Sequence, residues 1–326
     1  MKRVLLLGGR GFLGRHIRAE LAPHMIVRSP TRQECDLVET ELPALADLVD
    51  RERPDVVVAA AGRIVGSGYD FTQAHAVATA KLIEAMASAA PGARLIRIGS
   101  AAEYGAVPHG VAVGEGYPGV PVSEYGVSHL AATRLAELAG AAGRLDTMVL
   151  RVFNPVGAGM SAGNVLCRVA ALIRAAVDDG ADDIAVGLHD TYRDFVDVRD
   201  VAAAVLAATR CQPGPQRVFN VGSGRAVATR DVVRSLADVA GFTGGIRDGS
   251  FTPDASRSAS VPWMCADIER GNRVLGWAPA YDLRTSLTAL WHADRPEPLR
   301  PPAATRPRAE TARPGAQTAR VGAEAR

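Results

Sequence analysis

Residues 5–17, "LLLGGRGFLGRHI", lead from a run of leucines into a helical pattern through Gly8, Gly11 and Gly14, spaced by three. A short apolar run ended by glycine reads as a buried strand, and the "FLGRHIRAELA" that overlaps it reads as an amphipathic helix. Glycines between a first strand and a first helix permit a tight turn. They also let backbone N–H groups approach a pyrophosphate at the positive end of the helix, and let the helix pack closely on the strand. The stretch therefore predicts a dinucleotide-binding βαβ unit with Gly8, Gly11 and Gly14 against the cofactor.

Outward from this turn the same alternation continues. "MIVR", "DVVVAAAG", "ARLIRIGS" and "DTMVLRVF" read as strands, separated by Ala- and Leu-rich helical stretches such as "ELPALADLVDR". Such alternation predicts an α/β fold, a Rossmann-like doubly wound parallel sheet covered by helices on both faces. After Arg151 the connections become rich in Gly and Pro. The expected organisation is a dinucleotide-binding domain over residues 1–160, with 194–222 contributing, and a smaller mixed substrate domain over 161–293. From 295 to 326 Pro, Ala and Arg dominate, large apolar residues are nearly absent, and a disordered tail is predicted.

Composition narrows the classes of function. With 48% hydrophobic residues in 326, the chain can bury a full core. The formal net charge is +2, and the tail holds seven Arg against three Glu, so the body is slightly acidic. Nucleic acid binding has little electrostatic support on that count. The opening "MKRVLLLGG" is interrupted by glycine too early for a leader or a membrane span. Four scattered cysteines, Cys35, Cys167, Cys211 and Cys265, offer neither a disulfide framework nor metal-ligand spacing. A cytoplasmic protein without a metal or membrane partner is expected.

Two further stretches carry chemistry. About twenty positions after the first glycine, where an acidic residue would hold the ribose of NAD, stand Arg28 and, close by, Arg32. Guanidinium groups suit a 2′-phosphate, so NADP is favoured, with NAD possible. In "SEYGVSHLAATRLAE", residues 123–137, Tyr125 and His129 are four apart and share one face of a helix. The chain has only two lysines, Lys2 and Lys81, and neither is near Tyr125 in sequence.

With "IGSAAEYG", "EYGVSHLAATRLAE", "LRVFNPVGAG", "YRDFVDVRDVAAAV", "VFNVGSG" and "VLGWAPAYDL" in order after the glycine turn, the chain resembles the extended short-chain dehydrogenase/reductases. These form the NAD-dependent epimerase/dehydratase group that modifies nucleotide sugars. The resemblance spans residues 3 to about 293 and implies hydride transfer between a nicotinamide and a hexose carbon. Tyr125 matches the catalytic Tyr, and Ser100 the Ser or Thr that bonds the same sugar oxygen. The resemblance carries Asp36, Leu37, Ala60, Ala61, Gly62 and His75 to the cofactor side. Asn154, Arg193 and Arg257 go to the sugar and its diphosphate, where guanidinium groups fit phosphate oxygens. A homodimer is usual for the family.

Two positions depart from the family pattern. His129 stands where the family has the lysine that holds the nicotinamide ribose and makes the tyrosine more acidic, and His75 stands where it has Asn. An imidazole is charged only part of the time near neutral pH. On that reading the phenol is a better acid than its phenolate is a base, which favours ketone reduction over alcohol oxidation. The dehydratases' Asp-Glu pair is replaced by Ala101 and Ala102, so elimination lacks a proton shuttle. Glu103, one place later, is expected on the opposite face of the strand. The expected activity is NADPH-dependent reduction of a nucleoside-diphosphate 4-keto-6-deoxyhexose at C4, with Tyr125 as proton donor, Ser100 orienting the oxygen and His129 sharing the positive charge. The alternatives are a 4-epimerase with bound NAD, and a dinucleotide-binding sensor or scaffold.

Overall fold

The computed structural model describes residues 1–187, 191–249 and 261–293; Arg257 and the 295–326 tail lie outside these. The first half alternates strand and helix. Strands β1 (Arg3–Leu7), β2 (Ile26–Arg28), β3 (Val56–Ala59), β4 (Arg94–Ser100) and β5 (Asp146–Val152) are joined by helices α1 (Phe12–Leu21), α2 (Leu42–Glu52), α3 (Gly68–Thr72), α4 (Ala78–Ala89) and α5 (Glu124–Ala141). A single π-helical turn, Gln73–Val77, links α3 to α4. The second half adds β6 (Asn154–Val156), α6 (Val165–Asp179), β7 (Asp183–Val186), β8 (Tyr192–Asp197), α7 (Val198–Arg210) and β9 (Val218–Val221). It closes with β10 (Ala226–Ala228), α8 (Thr229–Ala240), β11 (Gly245–Asp248), β12 (Trp263–Met264) and α9 (Leu283–His292).

The central sheet is parallel throughout, in the order β2-β1-β3-β4-β5-β9. Its β1 shows why the opening leucines run without alternation. Val4 and Leu6 pack with Ile17 and Leu21 of α1 and Val201 and Val205 of α7. Leu5 and Leu7 pack on the other face, with Leu45 and Leu48 of α2 and Leu82 and Met86 of α4. A strand covered on both faces needs apolar side chains in both directions. The strand order reverses between β1 and β3, and a crevice opens at such a point beyond the strands' carboxyl ends.

The later elements form a smaller layer over that end of the sheet. β8 pairs with β10, β12 and β6, while β7 pairs with β11. Leu166 and Ile173 of α6, Val232 and Leu236 of α8, and Leu287 and Leu290 of α9 make a second core there. The chain passes between the layers more than once: β6 and β8 lie in the smaller part, whereas α7 and β9 return to the large sheet.

Candidate active site

The glycine turn lies in the crevice. Gly8 has φ +87°, and a Cβ there would come within 2.5 Å of the Ala61 nitrogen and 2.7 Å of the Ala60 carbonyl carbon. This position needs glycine for both conformation and space. Gly14 packs its bare Cα against the Gly8 carbonyl, so α1 sits directly on the turn. Gly11 is the N-cap of α1, with no side-chain cap bond and no acidic residue in the first turn. Its nearest obstacle to a Cβ is the Gly8 oxygen at 3.3 Å. Uncapped N–H groups at a positive helix end and a close-packed glycine floor suit a dinucleotide pyrophosphate. Ala60 is tied to β1 by its N–H to the Leu7 carbonyl, 3.0 Å, and Gly62 lies over the His75 ring.

At the adenosine end the two arginines are already paired. Arg28 reaches Glu34 at 2.5 Å and Glu52 at 3.4 Å, and Arg32 reaches Asp36 at 2.6 Å. Glu34 is held down to about pKa 2, chiefly by the Thr31 backbone N–H and then by Arg28. The positive pair that the sequence offers to a 2′-phosphate is therefore already matched by carboxylates, Glu34 and Asp36 from the turn after β2 and Glu52 from α2. Leu37 is buried in the core against α2, and the Asp36 carboxylate also accepts the Val38 N–H at 3.0 Å.

Ser123 caps α5 by accepting the Gly126 N–H at 3.1 Å. The buried stripe of α5 then runs Tyr125, Ser128, His129, Ala132, Thr133, Ala136, at helical spacing. Tyr125 and His129 do share a face, their ring centroids 4.5 Å apart. Phe71 and His75 close the other sides, each edge-on to Tyr125 at 5.4 Å, and His75 lies 4.0 Å from His129. His75 accepts the Arg63 N–H at Nε2 (3.3 Å) and meets the Ser128 hydroxyl at Nδ1 (2.8 Å); that hydroxyl in turn donates to the Tyr125 carbonyl at 2.8 Å. These bonds put the His75 proton on Nδ1. Burial, and then the charge of Arg97, drive its pKa down to about 3, so it is neutral.

Arg97 is the feature that the sequence reading missed. It stands mid-strand in β4, its side chain 4% exposed. Its Nη2 donates to Nδ1 of His129 at 3.0 Å, and its Nε and Nη1 donate to the hydroxyls of Thr79 and Thr133, each at 3.2 Å. Burial pulls its pKa below the ordinary arginine value, an effect that Glu103 and the Tyr125 oxygen oppose. A guanidinium is donor only and stays charged, so Nδ1 of His129 must present a lone pair. That corrects the expectation of a part-time imidazolium: the ring is neutral, and the permanent charge beside it belongs to Arg97. An arginine inside an otherwise apolar central strand, "LIRIGS", was the available signal, since buried charges are paired or functional.

Glu103 is the second correction. β4 ends at Ser100, and Ala101–Glu103 form a 3-10 turn, so strand alternation does not apply to it. The turn carries the Glu103 side chain inward, fully buried, where it meets Arg151 at 2.8 Å and Arg97 at 3.9 Å and accepts the Ser100 N–H at 3.0 Å. Arg151 lies 4.6 Å above the Tyr104 ring. The Ser100 hydroxyl accepts the Ala102 N–H at 3.2 Å, which leaves its own O–H to donate. The turn abuts α5, where Gly126 touches the Ala102 carbonyl, and Ala102 packs with Phe71 and Tyr125.

On the side of the smaller layer, Asn154 of β6 donates to the Asp194 carbonyl at 2.8 Å. Arg193 of β8 is half-buried, and desolvation lowers its pKa to about 10. Its Nη1 donates to the Tyr192 carbonyl at 2.9 Å. Asp194 accepts from Ser223, Gly224 and Ala266, and Asp197 from Arg199 and Ser286.

The model of one protein family, described as the NAD dependent epimerase/dehydratase family, matches residues 4–222. The chain belongs to this family. Among its relatives in it, the dTDP-6-deoxy-L-talose 4-dehydrogenase (NAD(P)(+)) of Kitasatospora kifunensis is 37% identical, over 91% of this chain and 97% of the relative. The UDP-glucose 4-epimerase of Azospirillum brasilense is 28% identical, over 86% and 88%. The solved structure of RMD from Pseudomonas aeruginosa, complexed with NADPH, superposes with a TM-score of 0.78 at 27% identity, covering 89% of this chain and 98% of that one. Family membership accounts for the parallel sheet and the glycine turn.

Proposed function

We propose that this protein is a nicotinamide-dependent 4-ketoreductase of nucleoside-diphosphate 6-deoxyhexoses that uses NADPH and accepts NADH. The observation that carries the reading is likeness along nearly the whole length to a 6-deoxyhexose 4-dehydrogenase, whose reaction reversed is reduction of the 4-ketone. Ala101 and Ala102 support it, because neither carries a carboxyl group to drive elimination and the Glu103 carboxylate at the end of their turn is held by Arg151 and the Ser100 N–H. Gly8, Gly11 and Gly14, the N-terminus of α1 and the Ala60–Gly62 turn would hold the dinucleotide, which when bound supplies the hydride. The paired state of Arg28 and Arg32 supports use of both cofactors.

In this reading Tyr125 protonates the sugar oxygen as the carbonyl is reduced, and the Ser100 O–H holds that oxygen in place. His129 would hold the nicotinamide ribose, and His75, through Ser128, fixes the first turn of α5 so that the phenol keeps its position. Phe71 and His75 keep water from the ring. Asn154, Arg193 and Arg257 receive the sugar and its diphosphate. α5 exposes Val127, Leu135 and Leu138, an apolar face that supports a homodimer. Among the described residues no helix is long and apolar enough to cross a membrane, and the enzyme is read as cytoplasmic, supplying deoxysugars for antibiotic glycosylation.

Oxidation of NADPH is to be assayed against a panel of nucleoside-diphosphate 4-keto-6-deoxyhexoses. Turnover with at least one is expected, falling about 10²–10⁴-fold in Tyr125→Phe. Conversion of UDP-glucose by the purified protein without added cofactor would instead favour a 4-epimerase, the activity named for the Azospirillum relative.

A further inference from the structure

The family pattern places a lysine where His129 stands, and the chain has no lysine in this region. The charge is present nonetheless, on a different element. Arg97 rises from β4 beneath α5 and is held in one orientation by Thr79 of α4, by Thr133 and His129 of α5, and by Glu103. His129 bridges the distance, with Nδ1 on the guanidinium and its ring against Tyr125. The charges around this point do not cancel. Among the described residues, Arg97 and Arg151 share the single carboxylate of Glu103, and Nη1 of Arg151 is buried without a hydrogen-bond partner. A buried cluster with one positive charge in excess is stabilised by an anion arriving beside it. During ketone reduction negative charge builds on the sugar oxygen and passes to the tyrosine oxygen as the proton is delivered.

We propose that Arg97, acting through the neutral imidazole of His129, is the positioning residue that supplies the fixed positive charge at Tyr125, in place of the helix lysine of the family pattern. The inference rests on Tyr125 being the proton donor of the proposed reaction. It revises the consequence drawn from the sequence. A guanidinium does not titrate in the working range, so the site is charged at every pH from 5.5 to 8.5, roughly the range in which an imidazolium would be lost. Among the described residues, the other charged or titratable groups packed on Arg97 are His75 from the π-helical turn, Tyr125 and His129 from α5, Glu103 from the 3-10 turn and Arg151 from β5. Of these His75 is already neutral.

The first measurement needs no turnover. Long-range ¹H–¹⁵N spectra of the histidine rings in the full chain with NADPH bound, with His129 assigned by its loss in His129→Asn, should show the Nε2–H tautomer unchanged from pH 5.5 to about 8.5. A titration midpoint inside that window, or a proton on Nδ1, would overturn the proposal. A silent activity assay beside the expected spectrum would reject the substrate reading alone.

The second measurement is the pH–rate curve in the alcohol-oxidation direction. Arg97→Met should move its midpoint up by about one unit, a tenfold loss at pH 7, and Arg97→Met/His129→Lys should restore it to within about threefold. His129→Lys alone sets two cations against each other and should lose rate. Folded Arg97→Met with an unshifted curve, or a gain of rate in His129→Lys alone, refutes the role. Should Arg97→Met not fold, the His129→Lys rate and the spectrum decide.

Discussion

At the scale of single residues, pairing matters more than identity. Arg28 was expected to attract a 2′-phosphate, but Glu34 and Glu52 already hold it. Glu34, at about pKa 2, stays ionised at any pH where the enzyme works. Glu34→Gln should free part of the Arg28 charge and shift the ratio of kcat/KM for NADPH over NADH upward. The size is about threefold, because exposed pairs are weak and solvent-screened. Steady-state kinetics with both cofactors checks this, and a shift toward NADH would mean that Glu34 does not compete for Arg28. Arg97 teaches the same lesson from the buried side. Nothing in its local sequence says what it meets: His129 and Thr133 reach it from α5, Thr79 from α4 and Glu103 from the 3-10 turn.

At the scale of elements, the turn between β1 and α1 is set by close contact. Gly14 lies within a helix, where replacing Gly by Ala ordinarily gains about 1 kcal/mol of helix propensity. Here the added methyl would overlap the Gly8 carbonyl and crowd the Gly9 Cα at 2.7 Å. Overpacking of that kind costs about 1–3 kcal/mol, so overlap outweighs propensity. Gly14→Ala should lower the melting temperature and weaken NADPH binding, followed by thermal melts and a fluorescence titration. Gly92→Ala is the control, since a Cβ there meets nothing within 4 Å. A Gly14 variant as stable and as tight-binding as that control would show that the turn relaxes freely.

At the scale of the molecule, Asp197 fastens the two layers together. It ends β8, caps α7 by accepting the Arg199 N–H at 2.8 Å, pairs with the Arg199 guanidinium, and accepts the Ser286 hydroxyl of α9 at 2.7 Å. Burial alone would raise its pKa. The bonds from Arg199 and Ser286 outweigh burial, and the folded value lies below 3.8. A depressed carboxyl pKa contributes stability above the unfolded value, and that contribution is lost as pH falls through the folded one. Asp197→Asn should therefore cost about 2–4 kcal/mol at pH 7. Its deficit against the parent should shrink below about pH 4 as the parent's own carboxylate is protonated. Melts at both pH values test this; a deficit that is constant with pH would assign the loss to packing.

The sequence by itself determined the α/β class, the glycine turn and the face shared by Tyr125 and His129. Each depends on local periodicity or on a backbone conformation open to glycine, and both are written within a few residues. What only the tertiary structure decided is the electrostatics. It shows that Arg28 is neutralised, that Glu103 turns inward because the strand ends one turn before it, and that a guanidinium from β4 stands under an imidazole from α5. Coulomb interaction and desolvation depend on distance and burial between segments far apart in the chain, and no spacing along it encodes those.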